Sequence, residues 1–247
     1  MVEASPYATV LAPAQFDLCR TSCRDDGAAP TSVPTMPQPI VDVWIDLTCP
    51  WSRIGLTGLH RALADLQQPV TVQLHSFQID PDAPADYGLT TVEALRANLG
   101  IAAARADEML DVVRTAGAEA WLSFNFDIAR GGNTLDAHRL LKLAAAHDQQ
   151  LEVALALFRA HFELGQLLAD PAVLARIAAE VHIPASEVQA LLTTDQFADM
   201  IHDDEAQVKT RGISGRPTFF INNRHAFTGE QSADVLRAAL KQASAGS

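Results

Sequence analysis

The sequence feature that most constrains the fold is a cysteine at the junction between a predicted strand and a predicted helix. In residues 40–46, apolar side chains alternate with Asp42 and Asp46, the two-residue period of a strand with a buried face. Beyond Pro50 the period becomes helical, and proline is favoured at a first helical position because its missing N–H costs nothing there. The leucines along the apolar face of this helix are Leu56, Leu59, Leu63 and Leu66. Cys49 is therefore predicted to lie at the start of a helix.

The place of Cys49 makes its thiol the first candidate for chemistry in this chain. Unpaired N–H groups and the positive end of the helix dipole both favour a thiolate over a thiol. The thiolate is the nucleophilic form of cysteine, so we expect the pKa of Cys49 to be depressed. Pro50 and Trp51 follow directly, and we expect the large Trp51 ring to form one wall of a thiol or substrate site.

Composition excludes several classes of function. The chain has 247 residues, 48% of them hydrophobic, so it is long enough to bury a substantial core. A formal net charge of −12 argues against nucleic acid and anionic membranes as partners. No apolar run approaches the roughly 18 residues of a membrane span, and no secretory signal is recognisable. Three cysteines are too few for a disulfide framework, which favours a reducing, cytoplasmic location.

Residues 1–39 are predicted to form a flexible N-terminal extension. Six of the thirteen prolines lie in this range, and no helical or strand period persists there. The extension contains Cys19 and Cys23, but no neighbouring cysteine or histidine pair supplies the other ligands that a zinc site requires. No metal site is therefore predicted.

The rest of the chain changes its pattern twice. Val70, Val72 and Leu74 alternate with polar residues, so a second strand follows the first helix and forms a parallel βαβ unit with the first strand. From about residue 90 the period is helical. Strands return at 218–228 as a hairpin, and a last amphipathic helix follows.

This order predicts an α/β fold whose single sheet is assembled from both ends of the chain. We expect a discontinuous domain made of residues 40–85 and 211–247, with an inserted helical domain at 86–210. The hairpin turn is predicted at Asn222 and Asn223, because asparagine tolerates the positive φ that such turns need.

Four stretches resemble the DsbA-like branch of the thioredoxin superfamily. They are Cys-Pro-Trp-Ser at 49–52 and the segments 133–141, 157–165 and 212–221. Together they are most similar to the subfamily named for 2-hydroxychromene-2-carboxylate isomerase and polyketide-biosynthesis oxidoreductases. The resemblance covers about residues 40–243. It implies a thioredoxin-like fold with a large all-helical insertion between the βαβ and ββα halves.

The resemblance also implies roles for residues around Cys49. In this family a cis-proline precedes the hairpin and faces the active-site cysteine; here that residue is Pro217, and Thr218 then begins a strand. A cis bond there presents the backbone of Arg216 to a bound substrate. The cations Arg53 and Arg216 are expected to raise the thiolate fraction of Cys49 or to pair with a substrate carboxylate.

Ser52 stands where redox-active relatives have a second cysteine. A serine hydroxyl does not attack a mixed disulfide, so the motif cannot alternate between a dithiol and an internal disulfide. The first remaining interpretation is a thiol oxidoreductase that acts through Cys49 alone. Its resolving group is an external low-molecular-weight thiol such as glutathione or mycothiol, and no cofactor is bound tightly. Alternatively Cys19 or Cys23 resolves it, since a flexible coil from Cys23 to Cys49 spans about 28 Å.

Two other interpretations stay open. The second is a thiol-cofactor isomerase or transferase, like the chromene-carboxylate isomerases and kappa-class glutathione transferases, which carry serine at the position of Cys49. Asn133 and Arg139 would then contact substrate, and His138 is a further candidate for the cleft. The third is a thioredoxin-fold module that binds a small molecule or a protein without catalysis. The enzyme interpretations imply small-molecule thiols or disulfides, or protein disulfides, as partners, and a homodimer is compatible with the resemblance.

Overall fold

One four-stranded sheet joins the two ends of the chain. The computed structural model describes residues 38–98 and 103–245. The strands, in the spatial order β2-β1-β3-β4, are β1 (Ile40–Ile45), β2 (Thr71–Ser76), β3 (Thr218–Ile221) and β4 (Arg224–Thr228). β1 runs parallel to β2 and antiparallel to β3, and β3 runs antiparallel to β4.

Helices occupy the chain between and after the strands. The helix α1 (Pro50–Ala64) connects β1 to β2. In the described residues β2 and β3 are separated by α2 (Thr91–Asn98), α3 (Ala103–Glu119), α4 (Leu135–Ala145), α5 (Gln150–Phe162), α6 (Pro171–Glu180), α7 (Ala185–Thr193) and α8 (Ala198–Thr210). The last helix is α9 (Ala233–Ala245). This is the thioredoxin-like fold with a helical insertion that the resemblance implied.

Several boundaries follow from local capping and turn chemistry. Thr90 and Glu93 form a capping box at α2: the Thr90 N–H donates to the Glu93 carboxylate at 2.8 Å, and the Glu93 N–H donates to the Thr90 hydroxyl at 3.3 Å. The Asp170 carboxylate caps α6. Asn222 and Asn223 have positive φ values of 50° and 61° between β3 and β4. The turn at Asn222 and Asn223 was predicted from the sequence.

The two faces of the sheet pack against different helices. Val43 of β1 and Phe219 of β3 lie in the main core, which also contains the leucines of α1 and α9. The alternate residues Trp44 and Phe220 lie on the opposite face and pack with Val208 of α8 in a smaller cluster. Because side chains alternate along a strand, this two-sided burial requires helices on both faces of the sheet.

Some of the sequence-based predictions concern residues that the structure does not describe. The predicted extension at 1–39 lies outside the described residues except for its last two positions, and Cys19 and Cys23 lie outside them as well. The division of the remaining chain into a discontinuous domain and an inserted helical domain stays a prediction. Among the helices of the described ranges, none has the length and apolar character needed to cross a membrane.

Candidate active site

Cys49 caps the N-terminus of α1. Its backbone is extended, with φ −86° and ψ 115°, and Pro50 begins the helix. The Cys49 carbonyl accepts the N–H of Arg53 at 3.2 Å, and the Cys49 N–H donates to the carbonyl of Asp46 at 3.2 Å. A tight turn after β1 therefore presents this side chain at the strand–helix junction, where the sequence predicts it.

The segment before β3 faces Cys49. Thr218 of β3 pairs with Trp44 near the end of β1, so the residues that precede Thr218 lie next to the Cys49 turn. The peptide bond between Arg216 and Pro217 is cis. The Cys49 sulfur lies 3.9 Å from the carbonyl oxygen of Arg216 and donates a hydrogen bond to it as a thiol.

A glycine allows α1 to approach this segment closely. A Cβ atom on Gly55 would lie 2.7 Å from Cγ of Pro217 and 3.3 Å from the Phe219 ring. The first distance is well inside the optimal separation of two carbon atoms, so no larger residue fits without displacing α1. The contact between Gly55 and Pro217 therefore sets the spacing between the start of α1 and the Arg216 carbonyl.

Ser52 supplies hydrogen-bond donors to the sulfur. The side chain is buried, and its hydroxyl oxygen accepts the N–H of Asp46 at 3.3 Å. Hydrogen bonds from the Ser52 N–H, the Ser52 hydroxyl and the Trp51 N–H all lower the pKa of the Cys49 thiol. Serine thus provides a donor at the position where redox-active relatives have a second thiol.

Burial nevertheless raises the pKa of Cys49. The residue is only 5% exposed, and removal from water disfavours the charged thiolate. This effect is larger than the lowering by Ser52 and Trp51, and the negative charge of Asp46 adds to it. The expectation of a depressed pKa is therefore wrong for this site, because the helix start that favours the thiolate is itself enclosed.

The Asp46 carboxylate is a fixed negative charge next to the Cys49 turn. One oxygen accepts the Thr48 N–H at 2.5 Å and the Thr48 hydroxyl at 2.6 Å, and the other accepts the Ile79 N–H at 2.5 Å. Its charge acts on the Cys49 thiol and on the buried histidines His138 and His161.

Arg53 has structural contacts instead of the binding role expected from the sequence. Its buried guanidinium forms an ion pair with Glu163, donates to the Ser123 carbonyl at 2.8 Å and lies 4.9 Å from the Phe124 ring centroid. These contacts join α1 to the end of α5. A buried guanidinium that is paired in this way has no free pair of N–H donors for a substrate carboxylate. We therefore correct the expectation that Arg53 binds substrate.

Asn133 and Arg139 are likewise held by the protein. Asn133 donates to the Ala83 carbonyl at 3.0 Å and accepts the Leu135 N–H at 2.8 Å, which ties the loop after β2 to the start of α4. Arg139 is buried and donates to backbone carbonyls, among them that of Gln196 at 2.7 Å. Both side chains thus have positioning contacts within the insertion, and their assignment as substrate contacts stays a prediction.

His138 is enclosed between α4 and β2. Its Nδ1 lies 3.0 Å from the Ser76 hydroxyl, and its Nε2 is buried without a hydrogen-bond partner among the described residues. Burial lowers the pKa of His138 to about 4, so the ring is neutral at neutral pH. The structure gives it a core position rather than a place beside the sulfur.

Arg216 contacts the sulfur through its backbone, while its side chain lies elsewhere. The guanidinium carbon lies 3.8 Å from the Phe77 ring centroid, a cation–π contact. Its Nε is buried and has no hydrogen-bond partner among the described residues. The Thr218 hydroxyl donates to the Gly215 carbonyl at 2.7 Å and so supports the same segment. The predicted residues that the structure gathers around the sulfur are Pro50, Trp51, Ser52, Arg216, Pro217 and Thr218.

A cavity that sequence reasoning missed lies beside the Cys49 turn. Its volume is about 480 Å³, and Asp46, Thr48 and His161 are among its lining residues. The His161 ring is buried, and its Nδ1 has no hydrogen-bond partner among the described residues. Burial lowers the pKa of His161 to about 4. The available signal was a histidine inside the apolar stripe of α5, within one of the stretches that carried the resemblance.

Comparison with solved structures supports the fold. The chain is similar to a probable DsbA oxidoreductase from Streptomyces coelicolor, at 28% identity and TM-score 0.77, over 85% of this chain and 92% of that chain. It is similar to 2-hydroxychromene-2-carboxylate isomerase at 16% identity and TM-score 0.59, over 82% and 95% of the two chains. It is also similar to the cytosolic disulfide reductase DsbM of Pseudomonas aeruginosa, solved with GSH, at 18% identity and TM-score 0.57, over 82% and 98%.

The last two similarities, at low identity, show the fold alone. No curated protein matches the chain significantly. The family described as DSBA-like thioredoxin domain matches residues 40–241, which include β1, the Cys49 turn, the whole insertion and the β3–β4 hairpin. Since this match spans most of the sequence, the chain belongs to the family of DSBA-like thioredoxin domains.

Proposed function

We propose that this protein is a thiol–disulfide oxidoreductase that uses Cys49 as its single redox-active thiol. The observation that carries the proposal is the position of the Cys49 sulfur, 3.9 Å from the Arg216 carbonyl and within reach of donors from Ser52 and Trp51. Membership of the DSBA-like family and the similarity to a probable DsbA oxidoreductase support the same chemistry.

The first step is attack of the Cys49 thiolate on a substrate disulfide. A new bond forms between the Cys49 sulfur and one substrate sulfur, the substrate S–S bond breaks, and the other sulfur leaves as a thiolate that takes a proton from water. Donors from Ser52 and Trp51 stabilise the attacking thiolate. Because burial raises the pKa of Cys49, the thiol first loses its proton to water and then attacks as the thiolate.

The second step needs an external thiol, because Ser52 has no sulfur to attack the mixed disulfide. We propose a low-molecular-weight thiol, glutathione or mycothiol, as this co-substrate. Its thiolate attacks the substrate sulfur of the mixed disulfide. A disulfide forms between the co-substrate and the substrate, and Cys49 is released as a thiolate. A similar solved protein, the DsbM disulfide reductase, was crystallised with GSH, which supports this choice.

The test uses a background in which Cys19→Ser and Cys23→Ser leave Cys49 as the single thiol. Incubation with oxidised glutathione is expected to add one glutathionyl group to Cys49, and reduced glutathione is expected to remove it, both followed by intact-protein mass. The Cys49→Ser variant in the same background is the control. Failure of the single-thiol protein to acquire the adduct would overturn the proposal.

Cys19 and Cys23 are the competing source of a resolving thiol. The protein with all three cysteines, oxidised and digested without reductant, separates the two routes. An intramolecular disulfide from Cys49 to either residue assigns resolution to the chain itself. Recovery of Cys49 as the glutathionyl adduct, with Cys19 and Cys23 as free thiols, supports the external co-substrate.

A second candidate is a thiol-cofactor isomerase or transferase. The observation that favours it is the cavity beside the Cys49 turn, which His161 helps to line and which has room for a small molecule. This candidate predicts tight binding of the reduced thiol with no covalent adduct. Isothermal titration with reduced glutathione, combined with the mass measurement, distinguishes it from the oxidoreductase.

A further inference from the structure

The cavity beside the Cys49 turn has a mainly apolar lining that includes several polar groups. Its volume of about 480 Å³ is within the range of small-molecule sites. Apolar residues of the loop after β2 and of α2 contribute to the lining, and they include Ile79, Leu89, Ala94 and Leu95. Its polar residues include Asp46, Thr48, Thr134 and His161. Such a lining suits a ligand with an apolar frame and a hydrogen-bonding group.

His161 is the group in this cavity that lacks a protein partner. The residue is 1% exposed, and its Nδ1 accepts and donates no hydrogen bond within the described part of the chain. Buried polar atoms almost always have a partner, so an imidazole left in this state on a cavity wall is available to a ligand. The pKa of about 4 keeps the ring uncharged at neutral pH. A ligand therefore meets a neutral hydrogen-bonding group there.

The charge around the cavity selects against anions. Asp46 and Asp80 contribute carboxylates to its lining, and the lining contains neither lysine nor arginine. At the positive dipole end of α2, Glu93 accepts the N–H and the hydroxyl of Thr90. At the start of α4, Asn133 accepts the N–H of Leu135. A carboxylate or phosphate ligand would therefore face like charge from Asp46 and Asp80, with no cation in the cavity lining.

We infer that this cavity binds a small, largely apolar molecule that is neutral or cationic and hydrogen-bonds to His161. The inference rests on the proposed function, because it names the class of substrate that is brought to Cys49. The cavity adjoins the Cys49 turn, because Asp46 and Thr48 of that turn belong to its lining. Anionic thiols such as glutathione are disfavoured inside the cavity and reach the sulfur by another approach.

The test is a titration of the Cys49→Ser protein with three probes that share one apolar frame. They are 1-naphthylmethanol, 1-naphthylmethylamine and 1-naphthoate, which are neutral, cationic and anionic at pH 7. The alcohol and the amine are expected to bind, and the naphthoate at least tenfold more weakly than the amine. Asp80 supplies an exposed carboxylate to the lining, and Asp80→Asn is expected to reduce the ratio of the dissociation constants of naphthoate and amine severalfold.

Matched variants on one helix locate the binding. Ala94 of α2 lines the cavity, whereas Ala97 of the same helix is exposed and does not line it. Ala94→Phe is expected to abolish binding of the alcohol, and Ala97→Phe to leave it unchanged. His161→Phe keeps a ring of similar shape without nitrogen atoms, and we expect it to weaken binding of the alcohol at least fivefold.

The outcomes separate this inference from the proposed function. Naphthoate that binds as tightly as the amine, or binding that survives Ala94→Phe, overturns the inference. If none of the three probes binds the Cys49→Ser protein, while Cys49 of the parent protein exchanges disulfides, the inference is overturned and the proposed oxidoreductase function stands. Probe binding to a protein whose Cys49 forms no mixed disulfide overturns the oxidoreductase alone, because the titration is made without the Cys49 thiol.

Discussion

The sulfur of Cys49 donates to the carbonyl oxygen of Arg216 at a separation of 3.9 Å. A carbonyl can accept from a thiol but repels a thiolate, so this pair favours the protonated sulfur, as burial does. The same carbonyl belongs to the residue that directly precedes Pro217. The site therefore favours the protonated sulfur of Cys49, beside donors that stabilise the thiolate once it forms.

The first prediction concerns the reactivity of the Cys49 thiol. We expect the midpoint of its alkylation rate against pH to lie above the ordinary value of about 8.5, because burial raises its pKa. Ser52→Ala removes a donor to the sulfur and should move the midpoint higher still. Ser244→Ala removes a buried serine in α9 that contacts Leu240 and should leave it unchanged. A midpoint below 8.5 in the parent protein contradicts this prediction.

The second prediction is that Ser52→Cys creates a dithiol pair. Positions 49 and 52 are the cap and the third residue of α1, so their side chains lie on the same side of the helix start. In the background lacking Cys19 and Cys23, oxidised glutathione should then give an intramolecular disulfide and no stable adduct. Thiol titration and intact mass measure this. Retention of two free thiols in the oxidised sample would show that the two sulfurs cannot meet.

The third prediction is a loss of stability in acid caused by the buried histidines. His161 has a folded pKa of about 4, below the unfolded value of about 6.5, so the unfolded state binds more protons between these values. The contribution of the neutral His161 ring to the free energy of unfolding is complete above pH 6.5. It is lost as the pH falls towards 4, at up to about 1.4 kcal/mol per pH unit. His138 acts in the same direction.

His161→Phe should therefore flatten the dependence of the unfolding free energy on pH between 6.5 and 4, as measured by urea denaturation. The comparison with the parent protein is needed because His75, whose pKa is raised by Asp204 and Asp42 despite its burial, contributes with the opposite sign. His60→Gln, at an exposed histidine, is the control. An unchanged slope in His161→Phe means that this ring does not titrate as a buried group.

The fourth prediction concerns the ion pair of Arg53 and Glu163. Glu163→Ala leaves the buried guanidinium of Arg53 without its carboxylate, and removal of one partner from such a pair costs about 3 kcal/mol of unfolding free energy. The alkylation rate of Cys49 should stay the same, since the pair lies outside the sulfur site. Glu180→Ala breaks the exposed pair with Arg176 and should cost less than about 1 kcal/mol. Equal effects of the two variants would show that the Arg53 pair is not buried in solution.

Local signals in the sequence predicted the elements that build the site. The alternation before Cys49, the helical period after it and the turn at Asn222 and Asn223 gave the sheet, and the resemblance added its topology. These predictions succeeded because each depends on a few neighbouring residues or on a motif. The pairing of Thr218 with Trp44 brings Pro217 next to the turn that carries Cys49 and Ser52. The predicted hairpin had already placed Thr218 at the start of a strand.

The sequence did not predict what depends on distant packing. Arg53 was taken for a site residue because it follows Ser52, but its long side chain reaches away from the sulfur to Glu163. The pKa of Cys49 was predicted from the helix dipole alone, and enclosure of the sulfur reverses that result. The cavity and the role of His161 arise from α2, α5 and the loop after β2 together. Neighbours along the chain carry no information about such an assembly.

The contact between Gly55 and Pro217 fixes the part of the site around the sulfur, whereas the cavity wall can vary in its side chains. The sulfur, the helix start and the Arg216 carbonyl are locked together by a backbone-to-ring contact that tolerates no added carbon. Replacements along the cavity wall, at Ala94 or Leu95, leave that contact untouched. Under the proposals made above, a change in the cavity wall alters which molecule binds without moving the sulfur, whereas added bulk at residue 55 displaces α1 from Pro217 and so disturbs the sulfur site for every substrate.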